Sequence, residues 1–360
     1  MEAFHLTGPV LVDDDTVLAE AWIADGVVHT KAPPASGGFT QLDGWVVPGL
    51  VDMHCHVGLD SGGATDRELA LKQALTDRDA GTLLIRDAGS PLDTTFIHDH
   101  AEAPRLIRAG RFIARPRRYL KGYAREVEVE DLPRVAAEEA RRSDGWVKFI
   151  ADWIDRDEGD LTPLWPSDAL AEAISAAHAE GARVTAHAFS EEAVDGLLDG
   201  GIDCIEHGTG MTRAHMRRAA AAGVPVVPTL LQVGGFETFA AQGEAKFPRY
   251  AARMRAMHSR RYEQVAAFVE EGVTVLTGTD AGGIRGHGSL PEEAAELVHA
   301  GLTAPQALAA ATWSARSFLG VEGIADGASA DVVVYAEDPR LDVAALATPR
   351  AVILRGRRVA

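Results

Sequence analysis

From Gly49 onward the chain alternates short apolar runs with longer amphipathic segments, and no other feature restricts its possible folds so strongly. The apolar runs are Gly49–Met53, Thr82–Ile85, Leu106–Ile113, Val147–Ile150, Arg183–Ala186, Ile202–Ile205, Val224–Val227 and Val273–Leu276. Ala- and Leu-rich stretches with helical spacing lie between them, among them Asp168–Glu180, Ser190–Leu198, Thr212–Ala222 and Arg253–Glu271. Strands that are each followed by a helix predict an α/β fold, a parallel sheet closed into a (β/α)8 TIM-like barrel. Two further helices, Pro291–Ala300 and Ala304–Leu319, are expected after the last strand. With 360 residues, 46% of them apolar, the chain can supply a barrel of roughly 250 residues and an accessory unit.

The flanking segments follow a β pattern. Val10–Val12, Thr16–Ile23 and Gly26–His29 read as extended, with a hairpin signal at Asp25-Gly26. Lys31–Gly38 is rich in Pro, Gly and Ser and reads as a loop. Near the other end, Asp331–Tyr335 and Ala351–Leu354 are dense apolar strands, with a turn over Arg355–Arg358. Lone strands need partners, and chain ends often lie close together. The expected plan is a small β-sandwich-like domain from residues 1–48 and 325–360, attached to a barrel of residues 49–324.

Charge and cysteine content narrow the partners. A net charge of -18 argues against a nucleic-acid backbone or an anionic membrane as partner. The two cysteines, Cys55 and Cys204, form no disulfide framework. Met1–Val10 has no basic region followed by a long apolar run, and no apolar stretch approaches the roughly 20 residues of a membrane span. The expectation is a cytoplasmic protein with reduced thiols and a small-molecule partner. Homo-oligomer formation is left open.

The ends of the expected strands carry a non-random set of side chains. The first runs into Asp52-Met53-His54-Cys55-His56, the fourth contains Lys148, the fifth ends at His187, the sixth at His207 and the eighth at Asp280. In a barrel, C-terminal strand ends converge on one mouth, where active sites sit. Histidines and a carboxylate gathered there suit Zn2+ or a similar divalent ion. Residues i and i+2 of a strand point the same way, so His54 and His56 can grip one ion. Cys55 then points outward, as a small packed hydrophobe. Taken singly, each residue has a plainer reading: HxH alone is weak, Lys148 can snorkel, and Asp280 can cap a turn. Their joint placement at separate strand ends carries the metal reading.

These residues resemble the amidohydrolase superfamily. The resemblance rests on Val47-Pro48-Gly49-Leu50-Val51-Asp52-Met53-His54-Cys55-His56, Ala186-His187-Ala188, Ile205-Glu206-His207-Gly208 and Thr277-Gly278-Thr279-Asp280-Ala281-Gly282. In the tail, Ala309-Ala310-Ala311-Thr312 and Ala330-Asp331-Val332-Val333-Val334 match as well. The resemblance implies a binuclear centre in which Lys148, carboxylated by CO2, bridges two divalent ions, expected to be Zn2+. His54, His56, Lys148 and Asp280 would hold the more buried ion, and Lys148, His187 and His207 the more exposed one. It further implies hydrolysis of an amide by a hydroxide shared between the ions. Asp280 would be the proton carrier, and His207 the other catalytic candidate.

Within the superfamily, Gly278-Thr279-Asp280-Ala281-Gly282, the nearby His287-Gly288 and Lys148 look most like the Xaa-Pro dipeptidase and imidazolonepropionase-related branch. That branch points to a small amide or peptide substrate, a dipeptide or an N-acyl amino acid. Candidate substrate contacts are Tyr123, Gln232, Arg285 and His287, with an arginine suited to a carboxylate. Where dipeptidase relatives often carry glycines after the lysine, this chain has Ile150-Ala151-Asp152-Trp153, so a Trp153 loop would wall the mouth. That leaves room for bulkier amides, esters, lactones or carbamates. Rival readings are a mononuclear deaminase or cyclic-amide hydrolase, a phosphotriesterase or lactonase, and a scaffold without catalysis. Arg86-Asp87-Ala88-Gly89 either supports the site from behind or forms a plain turn. His178, His215, His258 and His299 are expected on exposed helix faces, and His98 and His100 on a helix where i and i+2 diverge.

Overall fold

The computed structural model describes residues 2–33 and 38–360, so residues 34–37 of the expected Lys31–Gly38 loop lie outside the described residues. The barrel strands form two parallel sheets. One has the order Arg105–Arg108, Thr82–Asp87, Leu50–Cys55. The other runs Arg125–Glu126, Ile113–Ala114, Trp146–Ile150, Arg183–Ala188, Cys204–His207, Val226–Val227. Leu50–Cys55, Thr82–Asp87, Trp146–Ile150 and Cys204–His207 are buried along their whole length, which is why they read as apolar runs in the sequence. Helices such as Arg67–Asp79, Ser167–Ala179 and Arg213–Ala222 follow them. The architecture is an α/β fold of the TIM-barrel type.

Several elements depart from the expected pattern. Leu106–Ile113 is two strands, not one. The chain turns at Gly110, φ 68°, so Arg105–Arg108 pairs with Thr82–Asp87, whereas Ile113 pairs with Phe149 of the other sheet. The described ladders therefore do not close a ring at this point. Val273–Leu276 forms no regular strand. It spans the two sheets through single contacts: Leu276 N donates to Val226 O (3.0 Å), Met53 N to Thr277 O (2.9 Å) and Asp280 N to His54 O (2.7 Å). Arg253–Glu271 is divided into Pro248–Ser259 and Arg261–Glu270, with Arg260 reaching Thr209 O (2.8 Å) from the break. Ala304–Leu319 is likewise broken at Thr312, whose hydroxyl donates back to Leu308 O (2.6 Å). Neither break contains Gly or Pro, so the sequence carries no sign of them.

Strands from both ends of the chain meet in one eight-stranded sheet. Val332–Tyr335 pairs antiparallel with Trp45–Pro48, which places the tail beside the N-terminal strands. The Asp25-Gly26 signal is a two-residue hairpin turn with φ 52° and 84°, closing Ala24 onto Val27. The interior of this sheet is a separate apolar cluster that includes Phe4, Leu6, Ile23, Val46, Val332 and Ile353.

Candidate active site

Leu50–Cys55 delivers two imidazoles to the mouth, with His54 Nε2 and His56 Nε2 3.2 Å apart. Their other nitrogens meet groups that only accept. His54 Nδ1 lies 2.8 Å from Glu206 Oε2, and His56 Nδ1 lies 2.6 Å from the carbonyl of Gly89. Both Nδ1 atoms therefore carry the proton, and both Nε2 atoms present lone pairs. Between them sits Asp280 Oδ1, 3.2 Å from His54 Nε2 and 3.0 Å from His56 Nε2. Burial alone would raise the Asp280 carboxyl, and positive charge at the His54 and His56 Nε2 atoms, a proton or a cation in its place, holds it well below the usual carboxylate range. Three acceptors thus converge with no donor among them, an arrangement that a cation resolves.

The neighbouring side chains extend this set. His207 fixes its Nδ1 against Thr229 Oγ1 (2.6 Å) and offers a ligand atom within 4.8 Å of those of His54 and Asp280. Its ring centroid is 4.8 Å from that of His187. Burial and the neighbouring His187 push the His207 imidazolium far down, so the ring stays neutral. Burial likewise lowers His187, whose Nε2 lies 3.5 Å from Asp152 Oδ1. Lys148 is buried with no hydrogen-bond partner for Nζ among the described residues. Burial lowers its ammonium to about 8, against the pull of Glu206 and Asp280. The structure thus gathers His54, His56, Lys148, His187, His207 and Asp280 around one mouth.

Backbone strain is concentrated here. His207 (φ 65°), Thr229 (φ 48°) and Asp280 (φ 55°) all adopt left-handed conformations, which few non-glycine residues hold. The turn before Asp280 also needs a glycine. A Cβ on Gly278 would lie 2.7 Å from His54 N.

A buried polar frame carries the ligands, and most of it was not singled out from sequence. Arg86 donates to Met53 O and to Glu206, and its guanidinium stacks 4.7 Å over Trp146. Thr185 also donates to Glu206. Asp52 accepts from His54 N (3.0 Å) and from the Thr279 hydroxyl (2.6 Å), and Asp87 accepts from Val57 N and Gly89 N. Arg86-Asp87-Ala88-Gly89 therefore supports the site from behind rather than forming a plain turn. Glu206→Gln is expected to leave the Arg86 charge buried without its counter-ion, a loss of about 3–5 kcal/mol. Urea unfolding of the metal-free protein measures it, and a midpoint equal to the wild type would show that the pair contributes nothing.

The expected substrate contacts sort unevenly. Trp153 does face the site, its ring 5.5 Å from that of His187. Tyr123 does not; its hydroxyl donates to Asp60 O (2.8 Å), and Tyr119, not singled out from sequence, stands nearer, 6.4 Å from His187. Arg285 donates to Leu231 O, and Gln232 Oε1 is buried without a partner on the short helix Leu230–Gly234. His287 is engaged behind the first strand, 2.8 Å from Asp77 Oδ2 and 3.7 Å from Cys55 Sγ. Cys55 is buried in an apolar cluster with Ala70, Ala74 and Ile85. His215 is buried rather than exposed, because its Nδ1 accepts from Thr212 N in a capping box.

The profile of the amidohydrolase family matches residues 45–359. The chain belongs to the amidohydrolase family. This amidohydrolase is a hydrolytic enzyme acting on carbon–nitrogen bonds, in a family that generally uses divalent metals. An uncharacterized protein of Mycobacterium tuberculosis H37Rv is 50% identical over 355 residues, covering 98% of this chain and 95% of its own length. Among solved structures, an Xaa-Pro dipeptidase with bound methionine superimposes with a TM-score of 0.82 at 21% identity, over 99% of both chains. An ochratoxinase from A. niger does so with a TM-score of 0.79 at 18% identity, over 99% of this chain and 96% of its own. At these identities the likeness speaks for the fold. No helix among the described residues is long and apolar enough to cross a membrane.

Proposed function

We propose that this amidohydrolase is a binuclear metal-dependent enzyme that hydrolyses a small amide at the mouth formed by His54, His56, Lys148, His187, His207 and Asp280. The observation that carries this reading is the donor-free convergence of His54 Nε2, His56 Nε2 and Asp280 Oδ1, beside an unpartnered Lys148 Nζ. Such a donor set fits a divalent ion, and the orphaned amine fits a lysine carried as its carbamate. Residues 49–324 then form the catalytic unit, and residues 1–48 with 325–360 the β unit beside it.

Zn2+ at this place would polarise the scissile carbonyl and lower the pKa of water toward neutrality. Asp280, held ionised, accepts the proton of the attacking water and delivers it to the departing amine. The Glu206 carboxylate and the Gly89 carbonyl fix the tautomers of His54 and His56, and Thr229 fixes the orientation of His207. Trp153 and Tyr119 cover part of the mouth and limit the access of bulk water.

The test loads the enzyme with zinc, counts the bound metal, and assays Xaa-Pro and other dipeptides, N-acyl amino acids, cyclic amides, lactones, carbamates and phosphotriesters. Two zinc ions per chain and release of an amine from an amide are expected. One ion per chain with turnover confined to cyclic amides would favour the mononuclear imidazolonepropionase-type reading. Turnover of esters or phosphotriesters without any amide would overturn the proposal.

A further inference from the structure

One side of the mouth is built from aromatic rings that touch the two outer imidazoles. Phe189 packs 4.1 Å from His187 and 4.7 Å from His207, centroid to centroid. Trp153 lies 5.5 Å from His187 and nearly parallel to Phe189, at 6.4 Å and 28°. Tyr119 stands edge-on to Trp153 at 4.6 Å. Phe189 is buried, whereas Tyr119 and Trp153 are only half-buried and so keep faces open toward a ligand.

This wall is held in place from three directions. Trp153 rides on an antiparallel hairpin, Asp152–Asp155 with Asp160–Pro163. Arg118 straps the hairpin to the segment that carries Tyr119, pairing with Asp155 (3.0 Å) and donating to Thr162 Oγ1 (2.7 Å) and Trp153 O (3.4 Å). At the other end, Arg253 pairs with Asp160 (2.8 Å). At the hairpin's base, the buried Asp152 accepts from Phe189 N (2.9 Å), Ser190 N (2.7 Å) and Ser190 Oγ (2.9 Å). One carboxylate thus couples the Trp153 hairpin, Phe189 and His187. Rings fixed this way are pre-organised and lose little freedom when a ligand arrives.

The same contacts occupy the cation beside the wall, Arg118, which is paired with Asp155. His287 is engaged with Asp77, whereas Arg285 donates to Leu231 O and keeps a buried Nε without a partner among the described residues. A carboxylate pressed against the rings of this wall would give up its hydration without gaining a partner from them. A flat apolar group gains both burial and ring–ring contact.

We infer that Tyr119, Trp153 and Phe189 form the specificity pocket of this enzyme, and that it selects an amide bearing a flat, uncharged aromatic group over a dipeptide. The inference rests on the amide-hydrolase reading above and names its substrate class. Zinc-loaded enzyme is compared on N-methylamides whose acyl arm is phenylacetyl, hexanoyl or succinyl, and on acetamides of benzylamine and hexylamine. In one of these two series, kcat/KM for the aromatic member is expected to exceed the alkyl one at least about tenfold, and the anionic succinyl arm to be the poorest acyl substrate. Trp153→Ala is expected to erase the aromatic preference, mainly through KM, and Trp153→Phe to restore part of it.

Hydrolysis of these amides with no aromatic preference, or with the succinyl arm preferred, overturns the pocket and leaves the amide-hydrolase reading intact. If no amide turns over, that reading fails. The pocket is then judged by isothermal titration of zinc-loaded enzyme with N-benzylacetamide and N-hexylacetamide. Tighter binding of the benzyl compound supports the pocket, and equal or weaker binding overturns it.

Discussion

Asp280→Asn is expected to lower kcat/KM by at least about 10³-fold while the protein stays folded, because the carboxylate is asked both to complete the metal site and to move the proton. The asparagine side chain has the same shape and tolerates a left-handed backbone, so φ 55° and the 2.7 Å bond from residue 280 N to His54 O survive the change. What is lost is the charge that faces His54 Nε2 and His56 Nε2 at 3.2 and 3.0 Å, and with it a group able to carry a proton to the leaving amine. A circular dichroism spectrum and melting midpoint close to wild type, combined with the collapse in kcat/KM, are the expected pair of results. Activity within tenfold of wild type, in a folded variant, would remove Asp280 from the proton path.

How far the sequence revealed this site depended on the kind of information each residue carries. His54 and His56 were legible because strand periodicity alone aims i and i+2 at the same ion. His187 and His207 were legible because each closes an apolar run that marks a buried strand, Lys148 because it interrupts one, and Asp280 because it follows an apolar run, although that run forms no regular strand. The frame behind them was not. Glu206 sits in the same short run as His207, yet nothing in the run says that its carboxylate is buried between Arg86 and His54. Asp152 has no mark that distinguishes it from the solvated acids around it. Tyr119 and Tyr123 lie four residues apart on one loop, and only the fold decides which ring reaches His187.

Register within an apolar run was hidden for a similar reason. Leu106–Ile113 changes sheets at Gly110, and a mostly apolar stretch looks the same whether its halves share a partner or not. The terminal strands were easier, since a lone apolar strand near each end has few partners but the other, and Val332–Tyr335 does lie on Trp45–Pro48. Long-range pairings driven by burial were therefore readable. Helix breaks that turn on one hydrogen bond, such as Arg260 to Thr209 or Thr312 to Leu308, were not.

Lys148→Met is expected to drop bound zinc from two ions per chain to one or none and to reduce kcat/KM by about 10³-fold or more, the loss of several kcal/mol of charge stabilisation. Methionine keeps most of the buried volume but has no amine to react with CO2. An unpartnered Nζ in a buried pocket is costly in any protonation state, and burial holds its ammonium down to about 8, which favours the neutral amine that attacks CO2. Carboxylation would turn that liability into an anion with two oxygens able to bind metal. The metal-free Lys148→Met protein should therefore be at least as stable as the metal-free wild type, since the change removes a desolvated amine. Wild-type enzyme equilibrated with 13C-bicarbonate and zinc should show a carbamate carbon by NMR that the variant lacks, and formate should partly restore the activity of Lys148→Ala. A Lys148→Met enzyme that binds two zinc ions and turns over amides normally would reduce the lysine to packing and remove it from the metal set.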